Sequence, residues 1–179
     1  LYSLENKIPL FQFDIVGFSL LYELNHTNLV SILDLGRIPL LARDRDLSQP
    51  LVIAGGPVAL NPEPLADFID IFALGEGEDL ILEIIDRYLE LKDVVRNREE
   101  LVRGFSDLPG LYLPSFYEAR PQPRSFLLVS RPLPGFPEVI NKRLVYPLGR
   151  ALAPDRFIVP NVQSVFDRLQ VEVARGCPQ

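Results

Sequence analysis

The chain has 179 residues, of which 47% are hydrophobic and 23% charged, proportions of a folded globular protein that exclude disorder over the whole length. No apolar run approaches the roughly 18–20 residues of a membrane-spanning helix, and a single cysteine cannot close an internal disulfide, which favours a reducing, cytoplasmic setting. A net charge of −6 argues against a nucleic-acid surface spread along the chain. The sequence contains no Met and opens at Leu1, with neither the basic start nor the apolar core of a signal peptide, so it is expected to be a piece of a longer protein.

The first region reads as strand alternating with helix. The short apolar run Phe13–Phe18 fits a buried parallel strand. From Leu21 the spacing turns helical, with Leu29, Ile32 and Leu33 on one face. Gly36 suits the left-handed position after the helix, and Pro39 forbids continuation. A second strand, Leu51–Ala54, stops at Gly55-Gly56-Pro57, and a third, Ile69–Leu74, ends at Gly75-Glu76-Gly77-Glu78. The next helix is predicted to bury Ile81, Ile84, Ile85 and Tyr88 and to expose Glu83 and Arg87 as an i, i+4 pair. Successive strand–helix units imply parallel strands, hence an α/β fold with a partial doubly wound parallel sheet. Five strands are usual in such domains, so preceding units are expected upstream of Leu1.

Charge and proline mark a second region. Residues 1–100 carry 18 acidic against 8 basic side chains, residues 101–179 carry 6 against 10, and 11 of the 17 prolines follow Phe105. So much proline rules out a mainly helical or central-strand structure there. The break falls near residues 92–107, giving an α/β domain over 1–104 and a Pro-rich connector with short strands over 105–179. The Arg residues of this stretch read as its surface, since no aromatic-rich basic patch accompanies them.

In open α/β sheets, ligands sit beyond the carboxyl ends of the strands. Three glycine-bearing turns fall at that edge, placing Ser19, Leu21, Gly55, Gly56, Pro57, Gly75, Glu76, Gly77 and Glu78 as the candidate binding set. Glycine lets backbone approach a ligand and takes positive φ without strain. Two acidic side chains at the last turn disfavour a phosphate, and Leu80 stands where a dinucleotide fingerprint needs its third glycine. His26, alone in the polar run Glu23–Asn28, reads as a solvated residue, and no Ser-His-Asp or paired-carboxylate arrangement is present.

In this order, strand–Gly-x-Ser, strand–Gly-Gly-Pro and strand–Gly-Glu-Gly-Glu resemble the cobalamin-binding-type domain that precedes the catalytic barrel in many radical S-adenosylmethionine (SAM) enzymes. Ser19-Leu20-Leu21 is similar to that fold's Ser-x-Leu element, and Gly55-Gly56 to its later glycine pair, the two borders of the pocket for the cofactor's nucleotide tail. Here 33 residues separate Leu21 from Gly55, several more than in the methionine-synthase type. The element carrying the lower cobalt ligand would lie upstream of Leu1, so weak or no cobalamin binding is expected of this chain.

Leu111–Tyr117, Ile158-Val159-Pro160 and Val171–Cys177 look like the connector into a radical SAM barrel, closest to an uncharacterised family in which the two are fused. The resemblance implies that Arg175-Gly176-Cys177 opens a Cys-x3-Cys-x2-Cys loop, with Cys177 as the first ligand of a 4Fe-4S cluster whose free iron binds SAM. It further implies that the chain is an accessory N-terminal domain without the catalytic core, placing substrate or cofactor for its own barrel. The implied partners are that barrel and an unidentified substrate, with no membrane and no nucleic acid. A stand-alone cobalamin-type or flavodoxin-like binding module and a pure interaction or scaffold domain are the alternatives.

Overall fold

The computed structural model describes residues 1–122 and 128–147, together with positions 172 and 175. The chain divides into two compact units, Leu1–Leu144 and Val145–Gln179. In the second, the Arg175 guanidinium donates two hydrogen bonds of 2.7 Å to the Glu172 carboxylate.

The first unit is built on strands β1 (Ile15–Ser19), β2 (Leu51–Gly55), β3 (Ile71–Ala73) and β4 (Leu111–Tyr112), in the order β1-β2-β3-β4. The first three are parallel, with Ser19 opposite Gly55 and Ala54 opposite Phe72, as the strand–helix alternation predicts. β4 is antiparallel to β3, pairing Tyr112 with Phe72. Among the described residues β2 is the single sheet partner of β1, which is an edge strand and only half-buried, not the enclosed strand its apolar run suggested.

Alternate residues of the central strands face opposite ways and found two cores. Val52, Ala54 and Phe72 pack with Leu29 and Leu33 of α1 (Asn25–Leu35) and with Ala59, Leu65 and Ile69. On the other face Leu51, Ile53 and Ile71 pack with Leu80 and Ile84 of α2 (Leu80–Leu91), Leu101 and Val102 of α3 (Arg98–Arg103), Phe105 and Phe116. Helices thus cover both faces of the sheet. A two-stranded antiparallel sheet follows, β5 (Tyr117–Pro121) with β6 (Leu128–Pro132).

Three local expectations are corrected. Arg37, at φ 58°, takes the left-handed position after α1, while Gly36 stays right-handed at φ −78°, buried where a β-carbon would press on Leu10 and the Ile32 carbonyl. α2 is rotated from its predicted face: Leu80 and Ile84 are buried, with Tyr88 packed beside them, and Ile81, Leu82, Ile85 and Leu89 remain exposed. Glu83 and Arg87 do not pair with each other. Glu83 binds Arg143, and Arg87 binds Asp107 and Glu90.

The charged stretch Asp93–Arg103 contains α3. Asn97 caps it by accepting the Glu100 N–H at 2.9 Å, while the Glu100 carboxylate reaches back to the Arg96 N–H at 2.8 Å. The cap satisfies a donor that the first helical turn leaves open, and the Glu100 carboxylate ties down the chain just before it.

Candidate functional site at the carboxyl edge of the sheet

Because β1, β2 and β3 are parallel, all three glycine-bearing turns emerge at one edge. Ser19 is the exposed last residue of β1, and Leu21 follows it at 65% exposure. The turns after β1 and β2 are bound together, since the Leu20 N–H donates to the Gly55 carbonyl at 2.7 Å and the Val58 N–H to the Leu20 carbonyl at 3.2 Å. Gly55 and Gly56 are half-buried, and the exposed Pro57 starts a short helical turn.

Gly56 has φ 100° and ψ 178°, a conformation nearly reserved for glycine. A β-carbon there would lie 2.7 Å from the Leu20 carbonyl oxygen and 3.0 Å from its nitrogen. Gly56→Ala is therefore expected to destabilise the fold by about 1–3 kcal/mol, read as a lower urea midpoint. An unchanged midpoint would show that the turn relaxes freely.

Gly75, at φ 102°, is a second position that tolerates no side chain, because a β-carbon would overlap the backbone of Arg143. The Glu76 N–H donates to the Arg143 carbonyl at 3.0 Å, so the Gly75–Glu78 turn is engaged by the chain itself. A β-carbon on Gly77 would meet open space, whereas one on Gly55 would touch Ala73. The close approach that Gly56 and Gly75 permit is thus used by Leu20 and Arg143. Neither glycine leaves a cradle open for a cobalamin nucleotide tail, and this edge does not fit that group.

What the edge presents instead is apolar. Leu21, Tyr22 and Leu24 after β1, and Leu60 after β2, are 65%, 50%, 74% and 59% exposed. Exposed large apolar side chains concentrated on two joined loops form a surface suited to being covered. Among the described residues no group of three His, Cys, Asp or Glu side chains could hold a metal ion. Cys177, the expected cluster ligand, lies outside the described residues.

A cavity of about 720 Å³, lined by none of the predicted residues, opens where β2 and β3 begin. Its polar wall includes Arg45, Asp70 and Arg98. The Asp70 carboxylate accepts from Arg45 at 3.0 Å, from Arg98 at 2.7 and 3.3 Å, and from the Val52 N–H at 2.8 Å. Arg45 also donates to the carbonyls of Pro39, Leu40 and Phe68, and Arg98 to those of Asp46, Gln49 and Pro50. Burial pulls the Arg45 guanidinium below its ordinary value despite the Asp70 carboxylate beside it.

Across the cavity the Tyr112 hydroxyl donates to Glu63 at 2.5 Å and lies 3.1 Å from Ser130 Oγ; burial, then Glu63, raise its pKa far above that of a free phenol. These polar groups are committed to one another, so the cavity wall reads as a structural node. The sequence signal for it is Asp70, a lone carboxylate between Ile69 and Ile71.

Residues 1–114 match the family described as radical SAM proteins, N-terminal. An uncharacterized protein of Methanocaldococcus jannaschii is 32% identical over 98 residues, which cover 52% of this chain and 20% of that protein. The chain thus spans about a fifth of the length of the curated relative it matches. No solved structure matches. With the matched segment running through all of β1, β2, β3 and β4, the chain belongs to the N-terminal domain family of radical SAM proteins.

Proposed function

We propose that this domain serves a radical SAM protein as an accessory module, using the carboxyl edge of its sheet to place substrate or cofactor for a catalytic barrel elsewhere in the same protein. The observation that carries the reading is the exposure of Leu21, Tyr22, Leu24 and Leu60 on joined loops at that edge. Ligands of open α/β sheets lie beyond this edge, and side chains of this size favour contact with another apolar surface. In the whole protein the chemistry would be that of a 4Fe-4S cluster and SAM, with Cys177 as the first cluster thiolate. Cobalamin has no part in this reading, since Gly56 and Gly75 are already filled by the chain's own backbone.

The test is photo-crosslinking in the full-length protein. A crosslinking residue replacing Leu21 or Leu24 is expected to capture the catalytic barrel or bound substrate. The same residue replacing Val94, an exposed apolar position after α2, should not. Equal capture at all three positions would overturn the assignment of the edge.

A further inference from the structure

The Gly75 turn is engaged by a segment distant in sequence, and the contact is built from four separate pieces of chain. The Arg143 N–H donates to the Leu74 carbonyl at 2.8 Å, and the Arg143 carbonyl accepts from the Glu76 N–H at 3.0 Å. One residue of the outgoing chain thus pairs in parallel with Gly75, immediately beyond the end of β3.

The Arg143 side chain then crosses Gly110, the turn residue before β4, and grips the first turn of α2. Its guanidinium donates two bonds to the Glu83 carboxylate, at 2.8 and 2.6 Å. Gly110 has φ 88°, and a β-carbon there would overlap the Arg143 side chain, just as one on Gly75 would overlap its backbone. Two left-handed glycines therefore form a notch shaped to one arginine.

The approach to the notch is also fixed. The Leu133 N–H donates to the Phe116 carbonyl at 2.8 Å, Phe136 stacks on Phe116 with centroids 4.3 Å apart, and Ile140 packs against the α1-side core. Asn141 and Lys142 are exposed, Leu144 is 65% exposed and Tyr146 is 90% exposed. Arg143 thus lies one residue before the first compact unit ends at Leu144.

We propose that the Gly75–Gly110 notch is an anchor for the polypeptide leaving this domain, with Arg143 as the residue that sets its register. The chain then departs from a fixed point instead of from a free linker. A shorter untethered span raises the effective concentration of whatever it joins. Applied to a catalytic barrel following the connector, this consequence rests on the function proposed above. The anchor itself does not.

The bidentate fork explains why arginine serves here, since a lysine ammonium cannot meet both carboxylate oxygens in that geometry. The pair is only partly shielded, at 21% and 37% side-chain exposure, so one neutralising substitution should open the anchor without unfolding the sheet.

Limited trypsin digestion of the 179-residue chain, followed by mass spectrometry, tests the anchor without any activity measurement or crosslink. Lys142 and Arg143 are adjacent trypsin sites, and Glu83→Gln leaves both intact. In the parent chain, cleavage at this pair is expected to be slow. In E83Q it should accelerate at least tenfold, while cleavage after the exposed Arg43 is unchanged. Arg143→Gln should accelerate cleavage after Lys142 equally, and amide exchange at Glu76 should quicken in both variants. The proposal is overturned if the parent chain is cut at Lys142–Arg143 as fast as after Arg43, or if neither variant changes the rate. Should E83Q fail to fold, the parent rate and R143Q still decide the matter.

Discussion

Asp70→Asn is expected to destabilise this domain by about 3–5 kcal/mol, the range for removing one partner of a buried ion pair. The Asp70 side chain is 3% exposed, against 0% for Arg45 and 9% for Arg98. One carboxylate serves two guanidinium groups and the Val52 N–H, so the native arrangement already carries an excess cation, spread over six backbone carbonyls. An amide in its place removes the only negative charge these contacts include and turns one of its own N–H groups toward existing donors. Desolvation of the two cations then stands uncompensated.

The exposed Glu118–Arg120 pair, at 51% and 67% side-chain exposure, provides the contrast. Glu118→Gln should shift stability by less than about 0.5 kcal/mol. Urea unfolding of the three proteins measures both effects. A D70N variant within about 1 kcal/mol of the parent would mean that water or backbone movement relieves the excess charge.

The same residues show where sequence reading succeeds and where it stops. The parallel core was legible because Leu51–Ala54 and Ile69–Leu74 are short apolar runs stopped by glycine, and both facts are local. β4 was not, since two residues, Leu111 and Tyr112, carry no periodicity. α3 was hidden by its charge: only Leu101 and Val102 betray a buried face, and its third buried residue is Arg98.

On α2 the predicted face and the observed face share Ile84 and Tyr88. Spacing alone could not choose between Ile81 and Leu80 as the residue that completes it. Tertiary contacts decide, among them the hold of Arg143 on Glu83.

At the candidate site, the places that demand glycine were legible, but what meets them was not. Positive φ at Gly56 and Gly75 is a property of the turn, whereas Leu20 and Arg143 arrive from other parts of the chain. Glycine is read in a sequence as room for a ligand because its effect on sterics is the same whether ligand or backbone fills the space. Only the fold shows which. Asp70 carried the opposite signal, a charge inside the apolar run Ile69–Leu74, which buried chains retain only with partners.

The largest chemical effect expected of the whole protein concerns Cys177. Its coding sequence is predicted to continue with one cysteine four residues and another seven residues beyond Cys177. That spacing lets one short loop bind three corners of a cubane cluster and leaves the fourth iron for SAM. The 179-residue chain has one thiol, so reconstitution with iron and sulfide should leave it colourless and without stoichiometric iron. A longer protein carrying all three cysteines should turn brown, bind close to four irons and cleave SAM under reduction. Cys177→Ala in that longer protein should abolish both cluster and cleavage, since two thiolates cannot hold the cube. Melting of the N-terminal domain should not change, because the described residues of both its cores lie within Leu1–Leu144. That separation gives the experiment its force. Lost cluster with intact melting assigns Cys177 to the metal, whereas a coding sequence without the two further cysteines would remove the enzyme reading and favour a binding module without catalysis.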